Sequence, residues 1–380
     1  GGEYHYLRRA YGRSVAFLFG WARVTVVQTG SIALLAFIFG DYANELLPLG
    51  PLGPTVWAMA AILVLTGLNV AGVRQTRTVQ NLLFAATLAG LVCVVLAGVW
   101  LLSPIGAAAE PVAARPATPV ATSAGFGLAM VFVLLTYGGW NEAAYLTGEL
   151  KDAPRNIAKV LLLGTAVLIT VYVLTNLALL AVLGLDGLRS SDAVAADMMR
   201  SVTGPAGATL VSIAILVAAV STLNATIFTG ARVYYAMARD MTLLPSVGVW
   251  NERGKNPANG LILQGIVALA LVAIGAATRD GFKAMVDYTA PVFWGFLLLT
   301  GIALFVLRIR EPGRTLPYRV PLYPVTPILF CLSCAYMLHA SIAYTGISAL
   351  VGLAVLAAGT PLLLFRRKPA PATAVPQESD

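Results

Sequence analysis

Charged residues are scarce in this sequence: Asp, Glu, Lys and Arg make up 11% of its 380 residues, whereas 58% are hydrophobic. A soluble domain carries roughly 25% charged residues, so the composition excludes an ordinary soluble protein. The mean hydropathy of +0.82 agrees with that exclusion. No stretch alternates with a period of two over about ten residues, as the strands of a membrane barrel do. We therefore expect an all-α integral membrane protein.

Histidine and cysteine are also rare, with two and three residues respectively. All three cysteines, Cys93, Cys331 and Cys334, fall in apolar stretches, where a free thiol behaves as a small hydrophobe. The spacing of Cys331 and Cys334 fits neither a closed metal site nor a structural disulfide. The sequence also lacks HExxH, GxSxG and any intramembrane grouping with catalytic spacing. We expect no metal, no cofactor and no enzymatic activity.

Long apolar stretches dominate the remainder of the chain. Ten of them are long enough to cross a bilayer as helices, and several exceed the minimum length and are expected to tilt. The predicted spans are 14–38, 56–73, 79–102, 125–148, 157–183, 207–236, 261–277, 285–308, 325–344 and 346–365. They form one permease domain over residues 1–366, followed by a disordered cytoplasmic tail over residues 367–380.

Lysine and arginine are unevenly distributed between the connections. With the N-terminus placed inside, nineteen of the 25 basic residues fall in inner segments and five in outer ones. Basic residues concentrate on the cytoplasmic side of membrane proteins, so the net charge of +8 reflects membrane orientation rather than a nucleic-acid surface. We expect a multi-pass protein of the cell membrane, with both termini in the cytoplasm, a lipid bilayer around it and no nucleic-acid partner.

The predicted span 125–148 is interrupted near its middle by the residues YGGWNE, from Tyr137 to Glu142. In lipid a helix must satisfy its own backbone, so two glycines followed by Asn and Glu are tolerated only where the freed groups face protein or a polar cavity. The pattern predicts a broken membrane helix that binds a solute. The alternative is a kink that lets a neighbouring helix approach.

Four segments together resemble one family. They are GGEYHYLRRAYG at the start, FLFGWARVTVVQTGSIALLAF in the first span, YGGWNEAAYLTGELKDAPRNI after the break, and STLNATIFTGARVYYAMARD at 221–240. This sequence resembles the amino acid–polyamine–organocation superfamily, particularly its L-type amino acid transporter-like permeases, over almost its whole length. The resemblance implies secondary-active amino acid transport, by exchange or ion-coupled symport, in a LeuT-like fold of inverted five-helix repeats.

The resemblance also implies a truncation. Such permeases usually have twelve spans, and the GGxYxYL segment follows the second, so these ten spans correspond to the third through the twelfth. The chain begins Gly1-Gly2-Glu3 rather than with Met, and we expect the first two spans to be missing from it. A non-transporting sensor, an assembly partner or an inactive fragment is therefore the alternative function.

Substrate-binding residues follow from the match to the family's broken helix. In the family, free carbonyls of that stretch accept the substrate ammonium, and the residues after the glycines shape the pocket. The first span lines the same cavity. The substrate-binding residues that this implies are Leu135, Thr136, Tyr137, Gly138, Gly139, Trp140, Asn141, Gln28 and Ser31.

Ion coupling is predicted at two places. Ser221 and Thr222 resemble the position where sodium-coupled members of the wider fold bind their ion, with ordinary hydroxyl back-bonding as the alternative. Glu142 is a candidate proton site, with a structural hydrogen-bonded carboxyl as the alternative. The lysine of some proton-coupled relatives is replaced here by Thr87.

Charged residues at the inner ends of three spans form a predicted cytoplasmic gate, for which a solvated loop is the alternative. The gate residues are Glu149, Lys151, Asp152, Arg155, Arg232, Arg239 and Asp240. One further charge, Arg23, lies inside the first span, where it either pairs with an acidic group or helix carbonyls or extends to the interface. Residues 39–55 contain no Cys, so we expect no disulfide-linked partner of the kind that animal L-type transporters have.

Overall fold

A computed structural model describes residues 2–72, 77–101, 124–139, 153–191, 193–239, 245–252, 254, 256–277, 281–313, 319–344 and 346–365. Within these ranges the chain is helical and has no β-strand, although Asn251 and Asn256 form an isolated antiparallel bridge. The helices are α1 (Gly2–Tyr11), α2 (Arg13–Ala22), a π-helical segment (Arg23–Val27), α3 (Gln28–Leu46), α4 (Gly53–Val70), α5 (Arg77–Leu101), α6 (Ala124–Thr136), α7 (Ala153–Ser190), α8 (Val194–Arg239), α9 (Ala258–Ala276), α10 (Gly281–Arg310), α11 (Val325–Tyr344), α12 (Gly346–Ala358) and a 3₁₀ turn (Pro361–Phe365).

The all-helical class predicted from composition is confirmed for the described residues. Seven helices there are long and apolar enough to cross a membrane. They are Arg13–Leu46, Gly53–Val70, Asn156–Ser190, Val194–Tyr235, Ala258–Ala276, Gly281–Arg310 and Val325–Ala343. Two shorter apolar helices lie at Ala85–Trp100 and Ala349–Leu363. The division into ten spans and a tail remains a prediction.

Two of the long helices contain a kink. α7 departs from helical geometry at Gly184, and α8 does so at Gly204, directly before Pro205. Proline removes a backbone donor and crowds the preceding turn. Two boundaries of the predicted spans, at residues 183 and 207, lie close to these kinks. The same glycines and proline interrupt the apolar pattern there.

The main hydrophobic core surrounds the first long span. Buried side chains of α3 pack with those of α4, α8, α9 and α10, among them Ile32, Ile62, Leu223, Leu261 and Met285. The most apolar window of Arg13–Leu46 is 61% buried, whereas that of Asn156–Ser190 is 11% buried. α7 therefore lies at the periphery of the described helices, and α3 lies at their centre.

α6 joins a separate cluster, in which Val131 packs with Trp294 of α10 and Met337 of α11. Leu34 of α3 is partly buried against this cluster. The main core and the α6 cluster therefore meet along α10 and the middle of α3.

The first long span contains the π-helical segment, whose wider turn frees backbone carbonyls from the usual ladder. The hydroxyl of Tyr234, on α8, donates to the carbonyl of Val24. The hydroxyl of Tyr288, on α10, donates to the carbonyl of Thr25 at 2.9 Å. Two tyrosines thereby join the irregular turn to the two helices that pack against it.

Candidate functional site

α6 ends where the sequence predicts the interruption of the span 125–148. Leu135 and Thr136 still belong to the helix, and the amides of Tyr137 and Gly138 donate to the carbonyls of Val133 and Leu135 at 3.1 and 3.0 Å. Gly139 has φ +90°, a left-handed conformation that glycine adopts without steric cost. The helix therefore ends at Thr136, directly before the predicted interruption at Tyr137. The second half of the predicted broken helix lies outside the described residues, so the break remains a prediction.

α6 is short in its described part. Its 13 residues are about 20 Å long, which is less than a hydrocarbon core of roughly 30 Å. The end of α6 carries the unsatisfied carbonyls and the negative end of the helix dipole. Such an end stabilises a cation or an ammonium group.

A cavity of about 310 Å³ adjoins the end of α6. Its volume lies at the lower end of the roughly 300–1,000 Å³ typical of small-molecule sites. The ring of Tyr137 meets that of Tyr172, on α7, edge to face with 5.1 Å between centroids. The cavity is lined by Val133, Thr136, Tyr137, Val173, Asn176, Leu177 and Leu180.

Gln28 and Ser31, the predicted substrate residues of the first span, have different surroundings. Gln28 is 5% exposed and donates from Nε2 to the carbonyl of Thr226, on α8, at 2.8 Å. Ser31 donates to the carbonyl of Val27 on the preceding turn at 2.7 Å. The structure therefore brings Gln28 to α8 and not to Tyr137, while Ser31 lies one turn before Leu34, which touches the α6 cluster.

The predicted ion site is divided between two environments. Ser221 is 6% exposed, whereas Thr222 is exposed and donates to the carbonyl of Ala218 at 3.0 Å. For Thr222 this is the back-bonding that was the alternative to ion binding. Ion coupling at these residues remains a prediction, as does the proton site at Glu142, which lies outside the described residues together with Trp140 and Asn141.

Of the predicted gate, the structure describes one side chain. The guanidinium carbon of Arg232 lies 3.8 Å from the centroid of the Phe228 ring, in cation–π geometry. Arg155 and Arg239 belong to α7 and α8, but their side chains lie outside the described part, as do Glu149, Lys151, Asp152 and Asp240. The gate remains a prediction.

Sequence reasoning missed a group of buried amides at α8. Asn69, on α4, donates to Oδ1 of Asn224 at 2.7 Å, and Asn256 donates to the carbonyl of Asn69 at 2.7 Å. Gln264, on α9, donates to the carbonyl of Ile227 at 3.0 Å. A single amide within an apolar run is a weak signal in one sequence, because its partners lie far away along the chain.

Sequence reasoning also left the partner of Arg23 open. Nη1 of Arg23 lies 3.8 Å from Oε2 of Glu3, and both residues are under 10% exposed. This ion pair joins α1 to the start of the π-helical segment. A second pair joins α1 to the end of α10, where Arg9 contacts Glu311.

A bundle of seven long apolar helices within the described residues is consistent with a helical membrane transporter. The family model "Amino acid permease" matches residues 1–360. The chain belongs to the amino acid permease family, which confirms the family resemblance of the sequence motifs.

Similar proteins with curated names are also transporters or exchangers of amino acids. The b(0,+)-type amino acid transporter 1 of Homo sapiens is 29% identical over 346 residues, which cover 90% of this chain and 69% of the relative. The serine/threonine exchanger SteT of Bacillus subtilis (strain 168) is 26% identical, over 93% of this chain and 80% of the relative. The large neutral amino acids transporter small subunit 2 of Mus musculus is 26% identical, with coverages of 95% and 68%. The protein is therefore an integral, multi-pass membrane protein and a transporter rather than an enzyme.

Proposed function

We propose that this protein carries amino acids across the membrane by alternating access, as an exchanger or an ion-coupled symporter, with the substrate held at the break between Tyr137 and Asn141. The observation that carries the proposal is the end of α6 at Thr136, beside a cavity of about 310 Å³. The relatives' names, which specify amino acid transporters and a serine/threonine exchanger, supply the substrate class.

The chemistry of the proposed site depends on the carbonyls of the last turn of α6. An ammonium group has three donors and must replace its hydration when it enters a low-dielectric site. Backbone carbonyls and the negative helix end supply acceptors without a charged side chain. The α-ammonium of the substrate binds at this end, and residues 138–141 surround the rest of the molecule.

The proposed conformational change is a rocking of the helices around the break against a scaffold. The scaffold contains α3, α4, α8 and α9, whose buried faces share the main core. α7 is the least buried long span, which suits a helix that changes its contacts during transport. In this proposal the fold is the LeuT-like pair of inverted repeats, and both termini lie in the cytoplasm of a cell-membrane protein, as the distribution of basic residues predicts.

The test is uptake of a panel of radiolabelled amino acids into proteoliposomes. Residues 1–380 would be compared with a form extended by whatever native sequence precedes them. Saturable uptake in either form is the expected result, and the absence of uptake in both would overturn the proposal in favour of a non-transporting sensor. Liposomes without protein, and liposomes with a protein of another family, are the controls.

The coupling mode is measured in the same liposomes. Uptake that accelerates when an amino acid is loaded inside identifies exchange, whereas uptake that follows an imposed sodium or proton gradient identifies symport. Sodium-independent uptake would remove the sodium prediction at Ser221 and Thr222. An unchanged pH dependence in Glu142→Gln would remove the proton prediction at Glu142.

A further inference from the structure

One polar side chain in the cavity beside α6 was not anticipated from the motifs. Asn176 lies on α7 about two turns before the kink at Gly184, within an apolar span, and lines the cavity together with Thr136 and Tyr137. The side chain is exposed in the described chain. An amide in a membrane span is costly where its donors and acceptor lack partners, so the hydrogen bonding of Asn176 decides whether it can serve a polar ligand in this cavity.

The hydrogen bonding of Asn176 determines what it can still offer. Nδ2 donates one hydrogen to the carbonyl of Tyr172, one turn earlier, at 2.8 Å. This bond holds the amide plane against the helix. An amide has two N–H donors and one carbonyl acceptor, so a second N–H and the oxygen Oδ1 remain for a ligand.

We infer that Asn176 is a specificity-determining residue that selects amino acids with a small, uncharged side chain bearing a hydroxyl or carboxamide. This inference rests on the proposed transport function. A hydroxyl can donate to Oδ1 and accept from Nδ2, and a carboxamide can do the same with two atoms.

The remaining lining residues favour the same class of side chain. They are Val133, Val173, Leu177 and Leu180, together with Thr136 and Tyr137. Thr136 donates to the carbonyl of Phe132 at 2.9 Å, so its hydroxyl hydrogen is already engaged. A charged side chain would meet no opposite charge among the residues that line this cavity, and burying it would be costly. Asn176 is thus the amide that can distinguish threonine from valine, which has nearly the same shape.

The first test compares these two amino acids in the proteoliposomes. Asn176→Leu is expected to lower the preference for threonine over valine, measured as the ratio of their kcat/KM values, by about 5-fold, which corresponds to one neutral hydrogen bond. Thr170→Val is the matched control, because Thr170 is exposed on the same helix, makes a similar bond to the carbonyl of Ala166 and does not line the cavity. An unchanged ratio in Asn176→Leu would overturn the inference, and so would a wild-type protein that carries other amino acids but not threonine.

The second test does not need transport and therefore separates this inference from the proposed function. Cys93, Cys331 and Cys334 are replaced by alanine, Asn176 is kept, and Val173→Cys, at a residue that lines the same cavity, is exposed to a membrane-impermeant thiol reagent with and without threonine. We expect labelling that threonine slows and valine does not, and the additional change Asn176→Leu is expected to abolish that difference. The control is Leu174→Cys, because Leu174 is 46% exposed and lies at nearly the same depth but does not line the cavity.

The outcomes are distinct. Threonine protection of Val173→Cys that requires Asn176, in a protein without uptake, would support the site and overturn transport. Labelling at Val173→Cys that threonine does not change, or protection that persists with Asn176→Leu, would overturn the inference even if uptake is present.

Discussion

Gln28 of α3 and Gln264 of α9 meet at the same residue of α8, Gly230. A Cβ placed on Gly230 would stand 2.6 Å from Cγ of Gln28 and closer still to Oε1 of Gln264. The two glutamines donate to the consecutive carbonyls of Thr226 and Ile227, one turn earlier. The absence of a side chain at Gly230 therefore allows three helices to share one polar contact inside an apolar core.

Gly230→Ala tests this close approach. The added methyl must displace both amides, and overpacking of this kind costs about 1–3 kcal/mol. The readout is the midpoint of thermal unfolding in detergent micelles. Gly67→Ala, on α4, is the control, since a Cβ there meets nothing within 4 Å and alanine favours a helix over glycine by roughly 0.5–1 kcal/mol. Equal changes in the unfolding midpoint for Gly230→Ala and Gly67→Ala would contradict the close approach of the two glutamines to Gly230.

The two glutamines are expected to differ when each is replaced by leucine. Oε1 of Gln264 is buried and has no hydrogen-bond partner among the described residues. Gln264→Leu removes one hydrogen bond but also removes this orphaned acceptor, so the stability is expected to change by less than about 1 kcal/mol.

Gln28→Leu loses its bond to Thr226 without that compensation and is expected to destabilise by about 1 kcal/mol. Ser31→Ala, which removes only a bond to the preceding turn, is its control. Chemical unfolding in mixed micelles would measure all three variants. A larger loss in Gln264→Leu than in Gln28→Leu would show that the orphaned oxygen is paired in the membrane.

The ion pair between Glu3 and Arg23 is predicted to matter more than that between Arg9 and Glu311. Both members of the first pair are under 10% exposed, and removing one partner of a buried pair costs about 3–5 kcal/mol. Glu3→Gln and Arg23→Met should therefore each destabilise strongly. The double variant should lose less stability than the sum of the two single losses. A double-mutant cycle would measure this difference.

The pair Arg9–Glu311 supplies the comparison, because its side chains are 30% and 34% exposed. Exposed pairs contribute less than about 1 kcal/mol and weaken with salt. Glu311→Gln should change the unfolding midpoint little, and less still at high ionic strength. A large drop in the unfolding midpoint that high salt does not reduce would contradict the exposure of this pair.

Gly139→Ala is predicted to impair transport more than folding. Its φ of +90° is unfavourable for a residue with a Cβ, by about 1–2 kcal/mol, although no atom within 4 Å would clash. The strain falls on the segment that follows α6, where the substrate is proposed to bind. Uptake kinetics and the unfolding midpoint would be measured together, with Gly164→Ala on α7 as the control.

Parts of the fold could be predicted because the signal is local. Apolar stretches define the long helices, and Gly184, Gly204 and Pro205 interrupt them near the predicted ends. The end of α6 at Thr136 falls directly before the two glycines and the polar residues from which the broken helix was predicted.

The site was predicted less completely. Gln28 donates to α8, a partner that could not be predicted because helical periodicity gives the buried face of a helix but not which helix packs against it. Its substrate role remains a prediction. Asn176 was not expected at all, since α7 approaches the break only through the folding of the chain. Trp140, Asn141 and Glu142 remain predictions.

The sequence by itself determined the membrane setting, the helical class, the family and the end of α6 at Thr136, because apolar content, periodicity and glycine pairs act over a few turns. Only the tertiary structure decided which polar groups meet: Arg23 with Glu3, Gln28 with Thr226, and Tyr137 with Tyr172. These contacts join residues that are distant along the chain, and their partners are selected by how whole helices pack, which local patterns do not encode.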